Sequence, residues 1–411
     1  MRILWLNAGL LLPLDKGGKL RTWHLMRHLA RHHDITYLSF SDPAATDADR
    51  DGMREVCREV HLVPRTDRPK GSAAFYLEAG CRTFDPLPYA AGKYRSREYR
   101  QRLARLLATQ GFDLVVCDFL VPAVNMPATL PCPSVLFTHN VEAEIWRRHC
   151  ERQRDPLRRL LFRQQWRRMQ RFEASTLRRF DLVLAVSESD RETFQRLYAG
   201  ALPSDVVTVP TGVDTTAFAP QADARVRPRH LVFTGSMDWI PNEDAMRHFC
   251  REVLPRIRAE EPDVTLSIVG RAPTPAVHRL AEIDGVEVTG RVDDVRPHIA
   301  AAAVYVVPIR IGGGTRLKIF EAMSMAKAVV STTVGAEGLP VTDERDVLIR
   351  DTPQAFASTV VALLRDPARR VHLERAARDL VVAHCDWSAV AEQLDDALVR
   401  ASAKRGGAVA A

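Results

Sequence analysis

The chain has 411 residues, 46% of them hydrophobic and 27% charged, with a formal net charge of +7. That length accommodates two ordinary domains with a substantial core, and no apolar run approaches the roughly 20 residues that span a bilayer. The seven cysteines are scattered, odd in number and without a C-x-x-C pair, which argues against a disulfide scaffold or a zinc site and fits a reducing compartment.

The opening Met1-Arg2-Ile3-Leu4-Trp5-Leu6 reads as a first strand rather than a secretory leader. Its charged start is a single arginine, no small-residue cleavage site follows, and Asp15-Lys16-Gly17-Gly18 comes at once. Strands are expected at 2–8, 34–41, 59–64, 113–118, 134–139 and 181–187. A second series is expected at 230–234, 264–269, 286–289, 304–308, 328–333 and 346–350. These runs are short, near-continuous and rich in Val, Leu and Ile, as parallel strands covered on both faces are. Helical stretches lie between most of them, and twelve strands exceed one comfortable sheet. The expected fold is therefore α/β, with two doubly wound Rossmann-like domains. The seam is placed at 203–229, where four prolines accompany a charge-mixed segment. Residues 66–100 read as an irregular excursion, 146–179 as one long arginine-rich helical stretch, and 403–411 as a disordered tail.

Ligands of open α/β sheets bind outside the carboxyl ends of strands, so polar residues and glycines there are the candidates. Gly17 and Gly18 follow the first strand and open a helix. His139, beside Asn140 and Glu142, sits at the end of the 134–139 strand. Gly235 ends the first strand of the second series, and Gly270-Arg271 ends the next; Arg271 is an anion candidate. The strongest signal is Gly312-Gly313-Gly314-Thr315-Arg316-Leu317-Lys318-Ile319-Phe320-Glu321. Three glycines between a strand and a helix let backbone N–H groups approach an anion, and the helix N-terminus adds partial positive charge. Arg316 and Lys318 add full charges, and Glu321, about two turns into the helix, shares a face with Lys318. Phosphate and a hydroxyl-bearing group could both be held, which points to a nucleotide or nucleotide-sugar. The arginine-rich stretch, interleaved with Trp146, Phe162, Trp166 and Phe172, fits an anionic membrane surface or a solvated helix, with nucleic acid the third reading. No residues have metal-ligand spacing.

With these residues in view, the chain resembles retaining GT-B glycosyltransferases of family 4. The carriers are Gly17-Gly18, Thr138-His139-Asn140, Thr211-Gly212-Val213-Asp214, Gly270, Gly312 through Ala326, and Asp386-Trp387-Ser388 before the last helix. Within the family it is most similar to the sugar transferases associated with exosortase/PEP-CTERM exopolysaccharide systems. The resemblance implies an acceptor-side domain at 1–210, a nucleotide-sugar domain at 211–385 and a helix at 386–405 crossing back. The implied reaction is same-face transfer of a sugar to a saccharide or lipid-linked acceptor, without a metal or other cofactor. The implied place is the cytoplasm or the inner face of the plasma membrane. Glu321 matches the second glutamate of the family's E-x7-E motif, which bonds the ribose, and Gly313 stands where the first should be. His139 takes the place of the histidine that contacts the donor sugar. The family's Arg and Lys after the first strand of the second domain are missing from Gly235-Ser236-Met237-Asp238-Trp239-Ile240-Pro241-Asn242, so Arg316 and Lys318 are expected to replace them.

Three other classes compete. A UDP-sugar epimerase on the same fold would need paired acid/base carboxylates. A nicotinamide oxidoreductase would need G-x-G-x-x-G where this chain has Asn7-Ala8-Gly9-Leu10-Leu11-Leu12. A non-catalytic membrane-binding module would have no use for the Gly312–Glu321 element.

Overall fold

The computed structural model describes residues 1–14, 17–66, 72, 85–153, 155–203, 206–311 and 317–406. The chain separates into two compact units, Met1–Pro210 with Val390–Ala411, and Thr211–Ala389.

The first unit is built on seven strands: β1 (Arg2–Leu6), β2 (Asp34–Ser41), β3 (Glu59–Pro64), β4 (Leu114–Asp118), β5 (Ser134–Phe137), β6 (Leu182–Ala185) and β7 (Val206–Thr208). They lie in the order β3-β2-β1-β4-β5-β6-β7, and every pairing is parallel. The order reverses between β1 and β4, where Leu6 is in register with Cys117. Strands β1, β4 and β5 are buried almost throughout, as apolar runs in a sheet covered on both faces must be.

The second unit holds β8 (Arg227–Thr234), β9 (Thr265–Val269), β10 (Val286–Gly290), β11 (Ala302–Val307), β12 (Ala328–Ser331) and β13 (Leu348–Ile349). Their order is β10-β9-β8-β11-β12-β13, again all parallel, with the reversal between β8 and β11. Both sheets are thus doubly wound α/β, as the strand pattern predicts.

Several expectations need correction. β7 lies inside the expected seam, a short Val-Val-Thr run between Pro203 and Pro210. The arginine-rich stretch is two helices, α2 (Glu142–Arg152) and α3 (Pro156–Leu177). Asp155 breaks it by accepting the N–H groups of Leu157 and Arg158 as an N-cap, with Pro156 at the first helical position. The tail expected to be disordered from 403 is helical as far as Gly406, the end of α6 (Trp387–Gly406).

The Thr211–Thr215 segment anchors the start of α6. Val213 donates to the Cys385 carbonyl at 2.8 Å, Thr215 Oγ1 donates to Asp386 at 2.6 Å, and Trp387 donates back to the Val213 carbonyl at 3.2 Å. Gly212 is required because a Cβ there would stand 2.6 Å from the Trp387 ring. Further along α6, Asp395 lies 2.7 Å from His33. Among the described residues no helix is long and apolar enough to cross a membrane. The six described cysteines are buried and none of them forms a disulfide; Cys81 lies outside the described residues.

Candidate active site

In the first unit the polar residues gather at the reversal between β1 and β4. Asp118, the last residue of β4, is wholly buried. Its Oδ2 accepts hydrogen bonds from Trp5 Nε1 at 3.1 Å, Asn7 Nδ2 at 2.7 Å and Thr22 Oγ1 at 2.7 Å. Thr22 comes from α1 (Gly17–Leu29), so this one oxygen ties β1 and α1 to β4. Its Oδ1 lies 2.7 Å from His139 Nε2.

His139 stands two residues beyond the end of β5 rather than within the strand, following Thr138, which donates both its N–H and its hydroxyl to the Leu184 carbonyl. The imidazole stacks on Phe119, with centroids 3.7 Å apart and planes 9° apart. Phe119 reaches that position from a left-handed backbone, φ 69°, which is rare for a bulky residue. Gly18 lies at the edge of the stack: a Cβ there would lie 2.8 Å from Phe119 Cζ and 3.6 Å from His139 Nδ1. Burial pushes the His139 pKa below its ordinary value, against the pull of Asp118 in the other direction. Beneath it, Arg21 of α1 is buried with its guanidinium 4.2 Å from the Phe137 ring centroid, donating to the carbonyls of Val209 and Thr138. Burial lowers Arg21 to about 9, with Asp118 and Asp190 opposing.

In the second unit the glycines predicted at the strand ends pack against each other. Gly235 and Gly270 take φ of 155° and 150°, and a Cβ on Gly270 would lie 1.8 Å from the Gly235 carbonyl oxygen. Only glycine permits that approach. Over Gly235 comes Lys318, the second residue of α5 (Leu317–Ser324). Its Nζ would be 2.5 Å from a Cβ on Gly235, donates to Asn242 Oδ1 at 2.9 Å, and lies 4.0 Å from the Phe233 ring centroid. Asn242, on α4 (Ile240–His248), is held in turn by donating to the Ser236 carbonyl at 2.8 Å. The loop that lacks an Arg or Lys of its own thus meets a lysine delivered from another helix.

Glu321 is the fifth described residue of α5 and lies one turn beyond Lys318; whether it stands about two turns into the helix depends on 312–316, which lie outside the described residues. It is partly buried, and burial raises its pKa to about 7, with Lys318 pulling the other way. Tyr305 of β11 neighbours it, its hydroxyl sharing a hydrogen bond with Thr234 Oγ1. Arg271 exposes its side chain and contributes its carbonyl to Met237 N–H at 2.9 Å. Gly312, Gly313, Gly314, Thr315 and Arg316 lie outside the described residues.

Sequence reasoning overlooked Asp118, Asn242 and Phe233. A signal existed for the first: an aspartate closing the apolar run Leu114-Val115-Val116-Cys117 is a charge in a place only function or pairing explains. Among the described residues, no three of His, Cys, Asp and Glu are grouped to hold a metal ion.

Two parallel Rossmann-like sheets, each with its polar cluster at the carboxyl edge of the reversal, define a two-domain protein of the GT-B fold. Residues 16–217 match the model described as Glycosyltransferase Family 4, and residues 228–366 that of Glycosyl transferases group 1. The chain carries both of these glycosyltransferase domains. It is 30% identical over 220 residues to the phosphatidyl-myo-inositol mannosyltransferase of Mycolicibacterium smegmatis, a match covering 51% of this chain and 55% of that protein. The chain therefore spans about half the length of the curated relatives it matches. Among solved structures it is similar in fold to sucrose-phosphate synthase from Thermosynechococcus elongatus, with TM-score 0.69, 19% identity, and 97% and 98% of the two chains covered. It is similar likewise to Anabaena HepE in complex with UDP, with TM-score 0.67, 15% identity, and 97% and 100% covered.

Proposed function

We propose that this protein is a retaining glycosyltransferase that moves a sugar from a nucleotide-sugar to a saccharide or lipid-linked saccharide during exopolysaccharide or other cell-surface polysaccharide synthesis. The observation that carries this reading is the Lys318 ammonium held over Gly235 at the carboxyl end of β8, with Glu321 one turn further along α5. Lys318 and the N–H groups that open α5 would meet the diphosphate, whose negative charge grows as the sugar leaves. Glu321 would accept the ribose hydroxyls, and His139 would meet the donor sugar. Arg316 and the Gly312–Thr315 segment would complete the phosphate contact. With cations and helix-end donors in that role, no metal is required, so a chelator should leave turnover unchanged. The GDP-mannose-dependent mannosyltransferase name of one relative and the UDP in a structural neighbour make UDP- and GDP-sugars the first donors to try. The sugar transferases associated with exosortase systems are the subgroup this reading favours.

We place the acceptor at a membrane surface, with the enzyme otherwise cytoplasmic. Leu157, Leu160 and Leu161 are 75%, 64% and 55% exposed on α3. Arg158, Arg159, Arg163, Arg167 and Arg171 are exposed around them. The aromatic residues are not part of this face: Trp146 and Phe162 pack against each other between α2 and α3, and Phe172 is core. Spacing of i, i+3, i+4 puts the leucines on one side, where they can enter a bilayer interface while the arginines meet anionic headgroups.

The test is thermal shift and donor hydrolysis across UDP-, GDP- and ADP-sugars without divalent metal. A ligand at 100 times its Kd should stabilise the protein by about 2.7 kcal/mol. One nucleotide class should raise the melting temperature, and Glu321→Ala should abolish the rise. No shift with any nucleotide would overturn the reading in favour of a non-catalytic membrane-binding module.

A further inference from the structure

We infer that Asp118 is a positioning residue that sets the tautomer of His139 and aims its Nδ1 at the bound sugar; this rests on the glycosyltransferase reading for the ligand, but not for the geometry.

The carboxylate is the most constrained polar group in the first unit. Trp5, Asn7 and Thr22 donate to its Oδ2, so its rotamer is fixed from β1 and α1 before His139 is considered. A carboxylate only accepts, so the hydrogen bond from Oδ1 to His139 at 2.7 Å requires the proton on Nε2. Burial holds His139 below its ordinary pKa, so the ring is neutral near pH 7 and Nδ1 is an acceptor. The ring cannot turn away. Phe119 covers one face at 3.7 Å, and the tilted Phe137 ring has its centroid 5.2 Å away.

Nδ1 lies on the Gly18 side of the ring, where a side chain would collide with Phe119 and crowd Nδ1, so only glycine leaves this edge of the imidazole uncovered. A sugar hydroxyl entering there would donate to Nδ1. The left-handed backbone of Phe119 fits the same purpose. It follows Asp118 directly, and that strained turn lets one segment supply both the carboxylate and the stacking ring. A histidine needed only for packing would require neither a buried carboxylate with three further donors nor a glycine against its free nitrogen.

The substitution that separates positioning from packing is Asp118→Asn. It preserves volume, but its amide can donate to Nε2 and move the proton to Nδ1, turning the acceptor into a donor. In the full-length protein with the nucleotide-sugar identified by thermal shift, kcat should fall about 10- to 100-fold. The donor KM should stay within about twofold, because the Lys318–Glu321 cluster belongs to the other unit. Nitrogen-15 NMR of histidine-labelled protein reads the tautomer directly, the His139 signal being assigned by its loss in His139→Asn. The wild type should show the Nε2–H form and Asp118→Asn the Nδ1–H form. A wild-type Nδ1–H tautomer, or an Asp118→Asn protein with unchanged kcat, would overturn the inference. Should Asp118→Asn fail to fold, Thr22→Val, which removes one donor to Oδ2, is expected to lower kcat by a smaller factor; unchanged kcat there would also overturn it. If no nucleotide-sugar is turned over, the glycosyltransferase reading fails, while the wild-type tautomer still decides the dyad.

Discussion

Glu321 offers a sharp test, because its proposed role and its cost to the fold depend on the same proton. Burial raises its pKa from 4.5 to about 7. For an acid raised on folding, the stabilising contribution is fully present below 4.5 and is lost as pH rises through about 7. At about 1.36 kcal/mol per pH unit, the penalty is about 1.4 kcal/mol at pH 5.5 and about 3.4 kcal/mol at pH 8.5. The difference across that window is about 2 kcal/mol, and the partial exposure of the side chain screens it towards about 1 kcal/mol. Glu142 and Glu173 are raised to about 7 and about 8, and Glu374 is raised too, all by burial, so the wild type alone would mix several titrations. The comparison with Glu321→Gln removes the others. Urea unfolding of both proteins at pH 5.5 and 8.5 should show the wild type losing about 1–2 kcal/mol more than the variant. Nucleotide binding should show the opposite slope, since ribose hydroxyls donate to the ionised form: wild-type affinity should rise with pH through about 7, and that of Glu321→Gln should not. Parallel unfolding curves, with a double difference under about 0.5 kcal/mol, would refute a buried carboxyl at this position.

Gly235→Ala would put a methyl 2.5 Å from Lys318 Nζ and 2.7 Å from Asn242 Nδ2 at a φ of 155°. Both side chains can swing aside, so the melting temperature should fall modestly, by about 1–3 kcal/mol of stability, while nucleotide binding is lost. Gly270→Ala meets a backbone oxygen at 1.8 Å instead, with nothing flexible to yield. It should cost more than Gly235→Ala in urea unfolding, and equal costs would contradict the close packing of the two strand ends. Replacing Leu160 and Leu161 together by glutamate should lower binding to phosphatidylglycerol vesicles without changing the melting temperature, since both side chains are exposed. Each leucine inserted is worth about 1.5–3 kcal/mol, so retention of wild-type affinity in a sedimentation assay would exclude this face.

Much of the fold could be read from the chain. Short Val- and Leu-rich runs separated by helix-length stretches mean parallel strands covered on both faces, and two sets of them mean two sheets. The reading failed where burial left no local mark. β7 is a three-residue strand completed by its neighbour, and the break before Pro156 depends on a cap that one aspartate supplies. In the second unit, Gly235 and Lys318 come together as the order of strand-end glycines and helix-start cations suggests. Arg271, picked out by the same rule, has its side chain in solvent.

The sequence by itself determined the period of its hydrophobic residues, the glycines where backbones must approach closely, and the position of charge relative to helix starts. These are local properties, set by spacing along one segment. Tertiary structure alone decided which distant groups meet. Asp118 and His139 are 21 residues apart, and Lys318 and Asn242 are 76 apart. They meet because neighbouring parallel strands bring their carboxyl ends side by side, β4 beside β5 and β8 beside β11. Burial there, not residue type, sets the protonation of His139 and Glu321.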